Sequence, residues 1–273
     1  MTDVIQFLWP PFLVAVCLVG IHTYFGILVL ARKVIFVDLA LAQVATLGTC
    51  IALIMGHHFN DRITFWISLA TTFLGAAFFS WSRSVRRHRV PQEAIIGITF
   101  VVAAAGVILL LSRVAGGKEE LEHLLTGDIL NVTMRDVLQR VGLFAALAVL
   151  YGVFHQRFAL ISAEPHEAET KGLKVGLWDF LFYAAFALIV VAFVRVAGVL
   201  LTFAYLIVPA VCGVMLARTW LNQLLVGWVV AATASIVGLY ASYRLDLPTG
   251  AAIVVVCGLL LTLVSLGASL KKA

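Results

Sequence analysis

The stretch KVIFVDLALAQVATLG, residues 33–48, opens a hydrophobic segment, yet it carries an acid, Asp38, and an amide, Gln43, near its entrance. The chain around it is apolar and contains few charges. A polar group at membrane depth is costly and is therefore a functional candidate by default. The stretch either lines a path through a membrane or marks the place where a helix meets water.

The composition of the 273-residue chain indicates an all-α polytopic membrane protein. The chain is 63% hydrophobic and 12% charged, with a mean hydropathy of +1.07, whereas a typical soluble domain is about one quarter charged. Its length predicts one transmembrane domain over residues 1–273. The net charge of +5 does not indicate nucleic-acid binding, because the basic residues lie between the apolar runs. The four cysteines lie inside those runs and are expected to pack there rather than form disulfides.

Apolar runs of about 20 residues, each long enough to cross a bilayer, recur along the chain. They predict nine membrane spans, or eight if one segment is re-entrant. The expected spans are about 12–31, 39–56, 63–81, 94–112, 137–155, 177–194, 198–217, 221–243 and 249–270. Pro209 lies inside the seventh span and is expected to kink it, because proline removes a helical hydrogen bond.

Basic residues predict the orientation of the spans, since cytoplasmic loops carry an excess of Lys and Arg. The segment RSVRRHR, residues 83–89, is expected in the cytoplasm. Alternation then places Arg32, the 156–176 loop and the C-terminus on the same side, and the N-terminus outside. The acidic stretch between the fourth and fifth spans is expected outside as well.

The loop QRFALISAEPHEAETKGLKVG, residues 156–176, contains the signals of a short helix. Pro165 stands where proline is tolerated at a helix start. Glu164, Glu167 and Glu169 suit the positive end of a helix dipole, and Gly172 is expected to end the helix. This charged helix is either a solvated connector or a docking element for a cytosolic protein.

No Walker A, HExxH, GxSxG or CxxC motif occurs in the chain, so neither ATP binding of that kind nor hydrolytic or redox chemistry is indicated. We therefore expect a membrane subunit that is not an enzyme.

The order of these features resembles the permease subunit of the ABC-3 family of metal-ion ABC importers, which bring in zinc, manganese or iron. The segments QEAIIG (92–97) and LLTGDIL (124–130) are similar to family blocks, and the resemblance runs from about residue 28 to 218. Two further blocks are matched by Ile161, Ser162, Ala163, Glu164, Pro165, His166, Ala168 and Gly172, and by Gly198, Leu200, Leu201, Leu206, Ile207, Pro209 and Ala210.

The resemblance implies a type II importer-like bundle in a prokaryotic inner membrane, surrounded by lipid and built from two copies of this chain. A separate cytosolic ATPase would supply ATP hydrolysis, an extracytoplasmic binding protein would deliver a divalent metal, and this chain itself would bind no cofactor. The implied ATPase-docking residues are Ser162, Glu164, Pro165, Glu167, Ala168 and Gly172.

The sequence departs from the family at the entrance of the second span. Family permeases carry Gly–Asp–Ala–Leu–x–His there, with the Asp and His as candidate metal contacts. Those two positions are Leu39 and Gln43 in this chain, and Asp38 replaces the glycine. Asp38 and Gln43 are separated by about 140° around a helix, so they do not share a face. Direct metal coordination in the family's manner is therefore not expected here.

Gln43, Thr46 and Cys50 nevertheless form a polar or soft stripe on the second span, which is either helix packing or, with Asp38, part of a substrate path. His57 and His58 could capture a metal at the outer mouth, although histidines at a helix end are commonly just interfacial. His123 and Asp128, among neighbouring glutamates, form a second external candidate, with a solvated acidic face as the alternative.

Two other classes of function remain open from the sequence. A permease of similar build could carry a chelate or another small substrate. An ion-coupled secondary transporter would need acids in the middle of its spans, and these are scarce.

Overall fold

A computed structural model of the chain describes residues 2–59, 61–85, 90–113, 119, 124–127 and 129–270. No strand occurs in these ranges. The helices are α1 (Thr2–Arg32), α2 (Val37–Ile54), α3 (Arg62–Val85), α4 (Gln92–Leu111), α5 (Met134–Ala163), α6 (Pro165–Thr170), α7 (Val175–Leu216), α8 (Trp220–Leu245) and α9 (Thr249–Leu270), with a 3-10 turn at Ile129–Asn131.

Eight helices of the described residues are long and apolar enough to cross a membrane, namely all of these except α6. The predicted all-α polytopic fold is thus confirmed. Most predicted spans agree with the helices to within a few residues, and the ninth agrees at both ends. The clearest differences are α1, which begins at Thr2, ten residues before the predicted first span, and α5. Helix α5 continues to Ala163 through the first third of the predicted 156–176 loop and has non-helical backbone angles at Phe154.

The predicted sixth and seventh spans form the single long helix α7, which is interrupted at Gly198 by a non-helical backbone with φ 75° and ψ 164°. The interruption coincides with the predicted boundary between these two spans. The two parts, 175–197 and 199–216, are about 34 and 27 Å long at 1.5 Å per residue, so each is close to the thickness of a bilayer core. Pro209 lies within the second part, and its predicted kink stays a prediction.

The chain divides into two compact units, and the first consists of Met1–Leu30, Leu125–Val153 and Arg195–Ala273. In this unit α8 packs on α9, with Gly238 directly against the backbone of Ile253. Gly26 of α1 likewise lies directly against Leu206 and Ala210 of α7. Small residues allow membrane helices to approach each other at these places.

The second unit consists of Ala31–Leu124 and Phe154–Val194. Here α2 packs against both α3 and α4. On the α3 side, Gly48 lies against the backbone of Ser68, whose hydroxyl donates a 2.8 Å hydrogen bond to the carbonyl of Ala45. On the α4 side, Cys50 is buried with Val107 and Leu111. The division does not test the prediction of a single functional domain, which stays a prediction.

Candidate functional site

The short helix α6 is built as the sequence predicts. Pro165 occupies its first turn, and the helix ends in a left-handed glycine, Gly172, with φ 76°. The amide of Leu173 donates to the carbonyl of Ala168 at 3.0 Å, and the amide of Gly172 donates to that of Glu169 at 2.9 Å. This is the Schellman pattern of a helix C-terminus. The predicted start and stop of this helix are therefore confirmed.

The residues predicted to dock an ATPase differ in exposure. Ser162 and Ala168 are buried, whereas Glu164 and Gly172 are exposed and Pro165 and Glu167 are half-buried. Ala168 thus anchors α6 within the second unit, while the acidic side chains of α6 face outward. Ser162 is enclosed and can influence a partner only through other residues. The docking role of all six residues stays a prediction.

Glu167 forms an ion pair with Lys171 one turn later, with 2.5 Å between Nζ and Oε1. The pKa of the Glu167 carboxyl lies below its ordinary value, first because Lys171 donates this hydrogen bond. Because this pKa is lowered in the folded state, the ion pair contributes its full stabilisation of the fold at every pH above the ordinary glutamate pKa. The stabilisation is lost only as the pH falls through the lowered pKa of the folded state. Glu167 is therefore ionised at neutral pH.

A buried ion cluster, here called the Asp179 cluster, joins the ends of four helices in the second unit. Its members are Arg32 at the end of α1, Arg83 near the end of α3, Ser162 near the end of α5 and Asp179 in the first turns of α7. Asp179 Oδ1 accepts hydrogen bonds from Nη1 of Arg32 at 2.7 Å and from Nη1 of Arg83 at 2.9 Å. Arg32 Nε donates to the Ser162 hydroxyl at 2.8 Å.

The Asp179 cluster is almost closed to solvent. The exposed fractions of the side chains of Arg32, Asp179 and Arg83 are 0%, 3% and 16%. The Arg32 guanidinium also lies 3.9 Å above the ring of Phe182, in cation–π contact. One carboxylate thus faces two guanidinium groups, and the aromatic ring helps to hold the second positive charge.

The sequence interpretation missed this cluster, because it treated Arg32 and Arg83 as loop residues that report orientation. The available signal was Asp179, the only acid between Glu169 and Asp246. The cluster does agree with the predicted grouping, since it joins three segments that the basic residues assign to one side of the membrane: the end of α1, the end of α3 and the segment around Ser162.

The stretch at residues 33–48 begins α2 with a buried acid. Asp38 lies in the first turn and is 1% exposed, and its Oδ1 accepts no hydrogen bond from any described residue. Gln43 is also buried, at 8% exposure. Thr46 donates to the carbonyl of Ala42 one turn earlier, at 2.9 Å. Cys50 is packed in the interface with α4, so it contributes to helix packing here. A substrate path along these four residues stays a prediction.

The predicted outer-mouth ligands lie only partly within the described residues, and their metal-binding role stays a prediction. His57 and His58 follow α2, and the amide of His58 donates to the carboxylate of Asp61 at 2.8 Å. No group of three or more His, Cys, Asp or Glu side chains within the described residues is arranged to hold a metal. His123 and Asp128 lie outside the described residues.

A cavity of about 220 Å³ in the first unit is lined by side chains from three spans. Tyr24 and Phe25 come from α1, Phe144 and Tyr151 from α5, and Trp228 from α8. This lining includes no carboxylate or imidazole, so the cavity offers none of these usual ligands to a divalent metal ion.

A family model described as the ABC 3 transport family matches residues 4–268, nearly the whole chain. The chain belongs to the ABC 3 transport family. It is 28% identical over 232 residues to the manganese transport system membrane protein MntC of Listeria innocua, covering 85% of this chain and 80% of the relative. It is 26% identical over 238 residues to the manganese import system permease protein ScaB of Streptococcus gordonii, covering 86% and 82%.

The fold of this ABC 3 protein is also found in a solved structure, PsaBC from Streptococcus pneumoniae in complex with Fab. The two chains superpose with a TM-score of 0.80 at 24% identity, over 96% of this chain and 93% of the other. At this identity the likeness supports the fold alone, and it agrees with the predicted permease bundle.

Proposed function

We propose that the chain is the membrane-spanning permease subunit of an ABC importer and that its cargo is a divalent metal ion, with manganese first. The observation that carries this proposal is the family match over residues 4–268. Both relatives named above are manganese transport proteins, and each alignment covers more than four fifths of this chain. Manganese is therefore the first metal to test, ahead of zinc and iron.

The proposed division of labour assigns no ATP chemistry to this chain. Two copies would form the membrane dimer, and two ATPase subunits would bind the cytoplasmic face at α6. A binding protein would deliver the metal to the opposite face. The exposed acids of α6 support this assignment, because charged surface groups steer a partner of opposite charge. ATP binding and hydrolysis would then shift the population between inward-open and outward-open states.

The start of α2 is the proposed border of the metal path. Gln43 offers an amide oxygen at the family's imidazole position, and Asp38 offers a carboxylate one residue before the family's carboxylate position. Oxygen donors suit manganese better than zinc, which prefers nitrogen and sulfur ligands. The buried, unsatisfied Oδ1 of Asp38 supports a role in which a passing cation is its partner.

The test is metal uptake by the complete transporter. The chain is purified with its ATPase and binding protein, reconstituted into liposomes and supplied with ATP on the ATPase side and Mn²⁺ on the other. We expect ATP-dependent accumulation of Mn²⁺, with weaker competition from Zn²⁺. Accumulation of a metal chelate with no free Mn²⁺ would support the chelate alternative, and accumulation driven by an ion gradient without ATP would support a secondary transporter.

The same preparation tests the docking role of α6. A Glu164→Ala, Glu167→Ala double variant should bind the ATPase several-fold more weakly, with the difference shrinking at high salt as screening increases. Glu119→Ala, which removes the same kind of exposed charge from the predicted outer face, is the control. Equal ATPase binding by the double variant and the control would contradict docking at α6.

A further inference from the structure

The Asp179 cluster lies at the point where the proposed docking segment joins the membrane helices. Ser162 is the next-to-last residue of α5, and α6 begins three residues later at Pro165. The Ser162 hydroxyl accepts from Arg32 and itself donates to the carbonyl of Phe158 at 2.6 Å. A displacement of α6 therefore acts on the end of α5 and, through Ser162, on Arg32.

From Arg32 the contacts continue to two more helices. Arg32 and Arg83 share one oxygen of Asp179, so a movement of either guanidinium changes the bond that the other makes. Asp179 also fixes the first turns of α7. Four helix ends thus meet at one carboxylate oxygen and one hydroxyl. The three hydrogen bonds that join them are 2.7 to 2.9 Å long.

The charge balance of the Asp179 cluster is unusual for a purely structural element. Removing charges from water carries a penalty that can exceed the attraction between them, so a buried ion pair is weak evidence for a stability role. Among the described residues, a buried and a largely buried arginine here share one aspartate, which makes the balance less favourable still. Such a set has alternative pairings, because Asp179 can hold either arginine or both, and coupling requires an element with discrete arrangements.

We propose that Asp179 is a positioning residue that couples the α6 docking segment to the cytoplasmic ends of α1, α3 and α7 during transport. Movement of α6 on ATP binding changes how Asp179 is shared between Arg32 and Arg83, and this change moves the helix ends. The inference rests on the proposed function, since it requires an ATPase that acts on α6.

The first test is Asp179→Asn in the reconstituted transporter, which keeps the shape of the side chain and removes its charge. We expect Mn²⁺ uptake to fall by about tenfold while the ATPase rate stays within about twofold, so that more ATP is hydrolysed per ion; coupling free energies commonly correspond to 5–150-fold effects. The matched control is Asp246→Asn, at an exposed left-handed position that asparagine also tolerates. An unchanged ratio of ATP to Mn²⁺ would overturn the proposal, as would a parallel loss of uptake and ATPase activity.

The second test, Ser162→Ala, leaves the ion pairs in place and removes only the hydroxyl that links Arg32 to α5. It decides the question if Asp179→Asn fails to fold. We expect a raised ratio of ATP to Mn²⁺, whereas the control Ser269→Ala, which also removes a hydroxyl bonded one helical turn earlier, keeps the wild-type ratio. A wild-type ratio in Ser162→Ala would overturn the proposal. If the unaltered transporter shows no ATP-dependent uptake, the proposed function itself fails, which is a different result.

Discussion

At the scale of single residues, Asp38 is the most informative side chain of α2. A buried carboxylate without a hydrogen-bond donor is costly, because the lost contacts with water are not replaced. The oxygen Oδ1 of Asp38 is in this position among the described residues. Such an arrangement persists in proteins where the group has a functional partner, and a cation in transit would be one.

Replacing Asp38 separates function from stability. We expect Asp38→Asn to leave the free energy of unfolding unchanged or to raise it by about 1 kcal/mol, because a neutral amide costs less to bury than an ionised carboxylate. Uptake at limiting Mn²⁺ should fall by about tenfold, equivalent to about 1.4 kcal/mol of lost interaction. Gln43→Ala should lower uptake in the same direction. Thermal unfolding of the purified protein and initial uptake rates measure the two effects.

The control for this pair is again Asp246→Asn, which should change neither stability nor uptake. If Asp38→Asn and Gln43→Ala both transport Mn²⁺ at the wild-type rate, the start of α2 is structural and the path lies elsewhere.

Residue patterns in the sequence predicted local features better than distant ones. Pro165 and Gly172 act on their own backbone, so the ends of α6 could be predicted from neighbouring residues. Arg32 and Asp179 are 147 positions apart, and nothing local to either shows that they meet. Only the isolation of Asp179 in an apolar run indicated that this acid needs a partner.

At the scale of helices, hydropathy predicted where the spans lie, including the boundary between residues 194 and 198, but not the backbone conformation at that boundary. Long apolar runs are hydrophobic on all sides and must be helical in a membrane, because each backbone group needs a partner there. A kink at Pro209 was expected within the seventh span, in addition to the boundary between the sixth and seventh spans. The observed break is at Gly198, whose φ of 75° and ψ of 164° belong to a region that is essentially restricted to glycine. Its left-handed backbone could not be predicted, because nothing local distinguishes Gly198 in this respect from the other glycines among the 21 of the chain.

The backbone at Gly198 predicts a large cost for any side chain. A Cβ at this position would lie 2.5 Å from the backbone nitrogen of Gly127 and from the carbonyl oxygen of Leu125. We expect Gly198→Ala to lower the free energy of unfolding by on the order of 3 kcal/mol, from strain and overlap together. The loss is measured by thermal or denaturant unfolding of the purified protein in detergent.

Gly258→Ala in α9 is the matched control, because a Cβ there meets no atom within 4 Å. Since alanine is the better helix former, we expect this variant to gain about 0.5–1 kcal/mol. Equal stability of the Gly198→Ala and Gly258→Ala variants would show that the break in α7 is not a fixed feature of the fold.

At the scale of the whole molecule, the close approaches of three glycines in the first unit predict how often α7 crosses the membrane. Gly127 lies before α5, Gly198 interrupts α7 and Gly250 begins α9; Gly198 lies against Gly127, and Gly250 lies against Thr126. These three points are therefore at the same end of the first unit. The chain between Gly127 and Gly250 must then cross the membrane an even number of times. If α5 and α8 cross once each, α7 is predicted to cross twice and to turn at Gly198, which would give nine crossings among the described helices.

Single-cysteine labelling tests this topology. The four native cysteines are at most 8% exposed, so they should give little background with a membrane-impermeant maleimide. Suitable positions are Glu119, Thr170 and Asp246, all of which are exposed. With nine crossings, Glu119→Cys and Asp246→Cys are labelled from outside intact cells, whereas Thr170→Cys is protected until the membrane is permeabilised.

The side of the membrane on which Asp246 lies distinguishes nine crossings from eight. If α7 crossed only once, the loop after α8 would share the side of α6, and Asp246→Cys would be protected together with Thr170→Cys. Labelling in detergent is the control that all three cysteines are reactive. Protection of Asp246→Cys in cells would refute the turn at Gly198 and reduce the count to eight. Labelling of Thr170→Cys in intact cells would instead show that the predicted orientation is reversed. A cytosolic ATPase could then not bind α6.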